Sequence, residues 1–293
     1  MYYKIDLKIT YYIYITMSEW EQLLLTLESK SKATIMNYKS AYKKLHKIVD
    51  SDFADLSEEQ LCKGIQTNEN PNSQQATCNI AILVFKMLGL SVDKLVELRE
   101  ANKPRLKALV KAKNGSLCVS LPSYNQLIGH LDGLYEASKF QEYILCYLLI
   151  NLNVRNKDLN LKFVTKKSDM ADDKLNYLWY SVKKKNVTYV RNSYKTVSTY
   201  GTKENIITNE FFINAVKKYM LAIKHEPTNL LIPNEEQLAY FIQKSTYDQI
   251  GSSNYMKVCI NYFRDNLNKI TEISENRGTD IATILSNYDI VNQ

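Results

Sequence analysis

The sequence has few of the residues that build covalent or metal-dependent scaffolds: its 293 residues include only 5 cysteines and 3 histidines. The cysteines are odd in number and none forms a CxxC pair, which predicts free thiols in an intracellular protein and neither a disulfide framework nor a zinc site. The histidines lie far apart along the chain and form no local metal-binding motif. The residues concerned are Cys62, Cys78, Cys118, Cys146, Cys259, His46, His130 and His225.

Long apolar runs are also missing. None approaches the roughly 18 residues that a membrane span requires. The N-terminal stretch YYKIDLKITYYIYIT alternates in polarity and is rich in Tyr and Ile, which predicts a strand and not a signal peptide. Ser18 and Glu21 then form a capping box that opens an apolar helix. Residues 1–16 are therefore interpreted as an extension, and Met17 as a second plausible start.

The overall composition is that of a globular protein, with 45% hydrophobic and 24% charged residues. The formal net charge of +7 permits an acidic partner such as nucleic acid. At this length the chain has room for two domains, each with its own core.

Helical periodicity dominates the first half of the chain. It predicts helices over residues 18–27, 31–49, 75–88 and 92–111, the last of them kinked or split at Pro104, and another that opens with the capping box of Ser57 and Gln60. The stretch KAKNGSLCVSLPS, residues 111–123, breaks this pattern. We therefore predict a helical domain over residues 17–112 and a linker over 113–122.

The second half, residues 123–293, has a mixed pattern. Helices are predicted over residues 124–135, 140–152, 210–222, 235–245, 254–269 and 281–288, and two or three strands over 175–208 with turns at KKKN and near Gly201. The predicted fold class is thus mainly α with a small antiparallel β-sheet (α+β).

Three segments of this second half contain candidate functional residues. Arg155 follows an apolar helix, where it either meets an anion or pairs with Asp158 across one turn. Lys195 and Thr196 are predicted in mid-strand on a hairpin, where a lysine commonly protects a sheet edge. Tyr288 ends the last helix and is either a packing residue or a nucleophile.

Taken in order, these segments resemble motifs of the tyrosine recombinase (phage-integrase) family. NVRNKDLNLKF resembles the family's G-x-R-x-x-E/D-L-x-x-L, with Asn153 in the Gly place, and KTVSTYGTKENIIT resembles its Lys-bearing hairpin. SNYDI resembles the segment around the family's nucleophile, and SKATIMNYKSAYKKLHKI resembles the S-x-x-T-x-x-x-Y helix of its core-binding domain. The resemblance covers roughly residues 18–293 and implies a core-binding domain followed by a recombinase-like catalytic domain.

The resemblance also implies a chemistry. In the family a tyrosine attacks a DNA phosphodiester and forms a 3′-phosphotyrosyl intermediate without metal or other cofactor. On this basis Tyr288 is the expected nucleophile, Arg155 a phosphate clamp and Lys195 the general acid that protonates the leaving 5′-oxygen, with Lys203 as a second candidate for the acid.

Two family motifs are degenerate. The position of the H-x-x-R box reads N-Y-M-K, which places Asn254 and Lys257 in the roles of His and Arg, and Thr279 stands where the family has a His or Trp. Lysine keeps the charge but lacks the planar fork of arginine. Arg277 and Arg264 could substitute, although both are predicted to be solvated.

Three hypotheses follow: a working recombinase from a virus or mobile element, a recombinase-fold protein that binds DNA without cleaving it, and a structural or assembly protein. The first two predict double-stranded DNA as partner, a location with DNA in the cytoplasm, a host nucleus or a virion, and basic residues that face one side of a channel. Members of the family often exchange a C-terminal helix between protomers. Because only DIVNQ follows Tyr288, we expect this exchange to be minimal or to use another surface, and we expect a monomer that self-associates on DNA as a dimer or tetramer. The predicted DNA-binding residues are Lys39, Lys43, Lys44, Arg105, Lys107, Lys111, Lys183, Lys184 and Lys185.

Overall fold

The computed structural model describes residues 19–28, 30, 32–49, 53–223, 231–232 and 237–290. The predicted N-terminal strand and the capping residue Ser18 lie outside these residues. The chain divides into two compact units, Met1–Val110 and Lys111–Gln293.

The first unit is helical, as predicted. The capping box of Ser57 and Gln60 is confirmed by both of its hydrogen bonds, and Asn70 caps the next helix, whose first residue is Pro71. Leu45, Leu61 and Phe85 are among the fully buried residues of the core. The helices are α1 (Glu19–Thr26), α2 (Lys32–Ile48), α3 (Glu58–Gln66), α4 (Pro71–Met87) and the first part of α5 (Asp93–Ser120).

Helix α5 corrects one prediction and narrows another. The helix is not split at Pro104, so the kink stays the one open alternative there, and residues 111–120 continue the helix where a break was expected. Contacts distant in sequence hold both places: Asn102 donates to the carbonyl of Pro71, and Asn114 accepts from Lys257. Such tertiary contacts override local propensity, and the sequence pattern does not show them. The predicted domain boundaries stay a prediction.

The second unit packs helices around the apolar α7, seven of whose twelve residues are buried. The predicted helix over 254–269 is wrong, because the chain turns at residues 264–266 and Asn266 caps a new helix. Among the described residues, no helix is both long and apolar enough to cross a membrane. The helices are α6 (Tyr124–Glu136), α7 (Phe140–Asn151), the single-turn α8 (Val197–Tyr200), α9 (Glu210–Ala222), α10 (Leu238–Ser245), α11 (Gly251–Phe263), α12 (Leu267–Arg277) and α13 (Ile281–Tyr288).

A four-stranded sheet in the order β1-β2-β3-β4 lies in the second unit. The α+β fold class is confirmed, but the sheet is mixed and not purely antiparallel, because β1 pairs parallel to β2. The other two pairings are antiparallel, and the predicted turn at KKKN joins β2 to β3. The strands are β1 (Leu161–Val164), β2 (Asn176–Ser181), β3 (Asn186–Arg191) and β4 (Lys203–Ile207).

The connection between β3 and β4 also differs from the prediction. Lys195 and Thr196 are not in mid-strand: they lie in a turn that leads into α8. Thr196 donates its hydroxyl to the carbonyl of Gly278, so this connection is held against the end of α12. It is called the β3–β4 loop below and comprises residues 192–202.

Candidate active site

A left-handed residue, Asn153, leads the chain from the end of α7 to Arg155. Asn153 is buried with φ at 51°, a conformation that glycine and asparagine tolerate best, which explains why either suits this place. Its side chain donates to the carbonyls of Leu149 and Ile150 at the end of α7. The chain then extends, and Arg155 precedes a 3₁₀ turn over Asn156–Leu159. The guanidinium is therefore presented from a rigid segment.

Arg155 does not use its guanidinium to pair with Asp158. Nη1 donates to the carbonyl of Arg277 at 2.7 Å, and Nη2 donates to the hydroxyl of Thr279 at 2.6 Å. Asp158 instead accepts from the backbone N–H of Arg155 at 3.1 Å. The surface-pair interpretation of Arg155 is thus wrong, and Thr279 contacts the candidate clamp.

Arg277 is the last residue of α12 and is buried, with 8% exposure, so the expectation that it is solvated is wrong. Its Nη1 donates to the carbonyl of Asn153 at 2.8 Å. Arg155 and Arg277 therefore each bind a backbone carbonyl of the other's segment, which fixes the two segments together. Burial lowers the pKa of Arg277 and nearby Arg155 adds to this, although an arginine stays charged at neutral pH.

Tyr288 closes α13 and faces Arg277. Nη2 of Arg277 donates to the Tyr288 hydroxyl at 3.1 Å, and the guanidinium lies 5.2 Å from the ring centroid. Asn261 donates to the carbonyl of Tyr288 at 3.2 Å and accepts from the N–H of Ile290. Asn261 therefore holds the backbone that follows the Cα of Tyr288, while the hydroxyl oxygen accepts from a cation.

These residues meet at a cleft of about 260 Å³. Among the described residues that line it, three are cationic and none is acidic, which favours an anion in the cleft. Lys195 is exposed at its edge, and the 3₁₀ turn and the start of α11 complete it. The lining residues are Arg155, Asn156, Lys195, Ser252, Ser253, Arg277 and Tyr288.

A buried ion pair that the sequence analysis missed lies near the cleft residues. Arg191, at the end of β3, has 0% exposure and lies 3.9 Å from the carboxylate of Asp158. It donates to the carbonyl of Asn276 at 2.5 Å and to the side chain of Asn205 at 3.1 Å. Burial raises the pKa of Asp158 against the opposing effects of the N–H of Arg155 and the charge of Arg191. The position of Arg191 at the end of a strand gave no indication in the sequence that it would be buried against Asp158.

Not all predicted catalytic residues line the cleft. Lys257 is buried with 8% exposure and donates to the side chain of Asn114 at 2.9 Å. Burial lowers its pKa, and Lys113 adds to this. Asn254 lies one turn earlier on α11 and is not among the lining residues, whereas Ser252 and Ser253 are. Lys203 donates to the carbonyl of Glu275, and burial followed by the charge of Arg191 lowers its pKa.

The remaining basic candidates lie on surfaces of their own units. All nine predicted DNA-binding residues are exposed. Arg105 nevertheless donates to the side chain of Gln74 and the carbonyl of Glu69, which gives it a structural role in the first unit. Arg264 is partly exposed and lies 3.7 Å from Asp265. A common channel for the basic residues stays a prediction.

The five cysteines are all free. In the part of the chain that the structure describes, no three His, Cys, Asp or Glu side chains come together to hold a metal ion.

Replacement of Gly278 should disturb the β3–β4 loop, which carries Lys195. Its φ is 56°, and an added Cβ would lie 2.6 Å from Oγ1 of Thr196 and 3.0 Å from Cδ2 of Tyr200. Gly251 has a similar φ of 73° with open space around its Cβ, so Gly251→Ala is a matched control. We expect Gly251→Ala to lose about 1–2 kcal/mol for the left-handed backbone, and Gly278→Ala to lose about 1–3 kcal/mol more for the overlap. Equal losses in denaturant titrations would contradict this.

No family model and no curated protein matches the chain. Among solved structures it is similar to the crystal structure of XerA recombinase, with 13% identity, 94% of each chain covered and a TM-score of 0.39. A likeness this distant assigns neither a family nor an activity.

Proposed function

We propose that this chain is a DNA strand transferase of the tyrosine recombinase type, which cleaves and rejoins duplex DNA through a 3′-phosphotyrosyl intermediate. The observation that carries the proposal is the cleft in which Arg155, Lys195 and Tyr288, chosen from separate sequence motifs, line one space together with Arg277. A cationic cleft around a tyrosine hydroxyl suits attack on a phosphodiester, because negative charge develops on the phosphate oxygens as the bond forms.

Each residue then has one task. The Tyr288 oxygen attacks phosphorus and loses its proton to water, while the bond from phosphorus to the 5′-oxygen breaks. Arg155 donates to a nonbridging oxygen. The Lys195 ammonium gives its proton to the leaving 5′-oxygen, for which an exposed amine on the cleft edge is suitably placed. Religation runs the same steps in reverse.

The proposal extends to the partner. Duplex DNA would contact the exposed basic residues of the two units, namely those of α2, the middle of α5 and the β2–β3 turn, and copies of the chain would assemble on it. Contacts of this kind make binding fall steeply with salt, because each neutralised phosphate releases counterions.

The test uses a pool of nicked suicide duplexes, in which cleavage next to the nick releases a short fragment and prevents religation. The expected result is DNA that stays attached to protein in SDS, and a DNA-linked peptide that contains Tyr288. An adduct on a different residue would contradict the assignment.

One second candidate has specific support. Lys257 faces Asn114 and Thr279 is uncharged, so the family's box and later His or Trp are not reproduced here. This favours a protein that holds DNA without cutting it. Such a protein would give salt-dependent duplex binding and no adduct in any pool. The third hypothesis, a structural or assembly protein, predicts no salt-dependent affinity at all.

A further inference from the structure

We propose that Arg277 is a catalytic residue of this site: it supplies the second guanidinium that holds the scissile phosphate, in place of the residue at position 257. This inference rests on the proposed function. Three observations carry it: the orientation of Lys257, the donors left on Arg277, and the contact of Arg277 with the attacking oxygen.

The side chain of Lys257 is already engaged in a buried hydrogen bond away from the cleft. The ammonium of Lys257 is buried and donates to Asn114, a residue of α5, at 2.9 Å. The part of α11 that lines the cleft is its first turn, through Ser252 and Ser253. For Lys257 to reach a phosphate in the cleft, it would have to break this hydrogen bond and leave its buried place.

Arg277 has donors to spare. A guanidinium carries five N–H donors. Among the described contacts, Arg277 uses one donor for the Asn153 carbonyl and one for the Tyr288 hydroxyl. Three N–H donors therefore remain, one each on Nη1, Nη2 and Nε, while the bond to Asn153 holds the group in place. Arg155 is anchored in the same manner, by the Arg277 carbonyl and Thr279. Both guanidinium groups line the cleft.

The contact with Tyr288 places Arg277 at the reacting atoms. An attacking oxygen approaches phosphorus to about 3–3.5 Å before reaction. Because Nη2 lies 3.1 Å from that oxygen, the same guanidinium is close enough to donate to a nonbridging oxygen of the phosphate. A buried cation is also worth more there than in water, since its charge is poorly screened.

The experiment compares matched variants on one suicide duplex in single-turnover reactions. Arg277→Gln should form the adduct about 10²–10³-fold more slowly than wild type, the usual cost of one preorganised donor. Lys257→Gln should stay within about threefold, because this lysine does not contact the phosphate. Arg277→Lys keeps the charge but loses the fork, and should lose about tenfold or more. It also serves if Arg277→Gln unfolds, which thermal unfolding will show.

A second substrate separates a catalytic role from a structural one. Methylphosphonate at the scissile position replaces a nonbridging oxygen by a methyl group and removes the negative charge that a clamp holds. If Arg277 holds that charge, the ratio of wild-type to Arg277→Gln cleavage rates should shrink at least tenfold on this substrate. A residue that only supports the fold would give the same ratio on both substrates.

The outcomes are distinguishable. Wild-type adduct with unimpaired Arg277→Gln, an unchanged ratio on methylphosphonate, or an equal loss in Lys257→Gln would overturn the inference and leave the proposed function standing. Absence of any wild-type adduct on a duplex that the protein binds would overturn both.

Discussion

Tyr288→Phe is expected to abolish covalent attachment of the protein to DNA and to leave duplex binding unchanged. The substitution removes only the hydroxyl, which is the atom proposed to attack phosphorus. The ring stays against the small core of α11, α12 and α13 that includes Ile260, Ile273 and Ile284. The guanidinium of Arg277 keeps its bond to Asn153 and its place over the ring. The fold and the positive charge of the cleft therefore remain.

The measurement pairs SDS-stable adduct formation with duplex affinity at several salt concentrations. Tyr240→Phe is the matched control, because Tyr240 lies on the surface of α10 and is 69% exposed. We expect adduct from wild type and Tyr240→Phe, none from Tyr288→Phe, and the same salt dependence of binding in all three. Adduct from Tyr288→Phe would show that another nucleophile acts.

Residues that carry local motifs could be predicted from the sequence. The helix over 281–288 and the capping box of Ser57 follow from neighbouring residues alone, and both are confirmed. The co-location of Arg155 and Tyr288 required the family resemblance, since they lie 133 positions apart and no local pattern joins them. The predicted roles of the two residues remain to be tested.

Buried charges could not be predicted in this way. Arg277 lies in SENRGTD, a polar segment that is typical of a solvated helix end. Its burial depends on the Asn153 carbonyl, 124 positions away along the chain. Gly278 signals the end of the helix, but it gives no indication that the arginine before it is covered. Arg191 was missed for the same reason, because its partners Asp158 and Asn276 belong to other elements.

Lys195 shows the limit of strand prediction. KTVSTYG has the β-branched and aromatic residues of a strand, yet residues 197–200 form a helical turn. The bond from Thr196 to the Gly278 carbonyl and that from Tyr194 to the Gly201 carbonyl hold this shape. Tertiary contacts decided the conformation against local propensity, and they bring Lys195 to the cleft.

Arg191→Met is expected to lower the free energy of unfolding of the second unit by about 3–5 kcal/mol, because it leaves the Asp158 carboxylate buried without its partner. It also removes the donor to the Asn276 carbonyl, which ties β3 to the end of α12 beside Arg277. Adduct formation should therefore fall as well. A Trp20→Phe background leaves Trp179 of β2 as the single tryptophan, so that its fluorescence in a denaturant titration reports on the sheet that carries Arg191.

The double variant Arg191→Met/Asp158→Asn tests whether the charge left behind causes that loss. Asparagine keeps an acceptor for the backbone N–H of Arg155 but removes the buried charge. If the unpaired carboxylate dominates, the double variant should be more stable than the sum of the single losses predicts, by about 1–3 kcal/mol. Additivity within about 0.5 kcal/mol would mean that Arg191 acts through its hydrogen bonds to Asn276 and Asn205. In that case Arg191 would serve to position the β3–β4 loop, and adduct formation would stay impaired in the double variant.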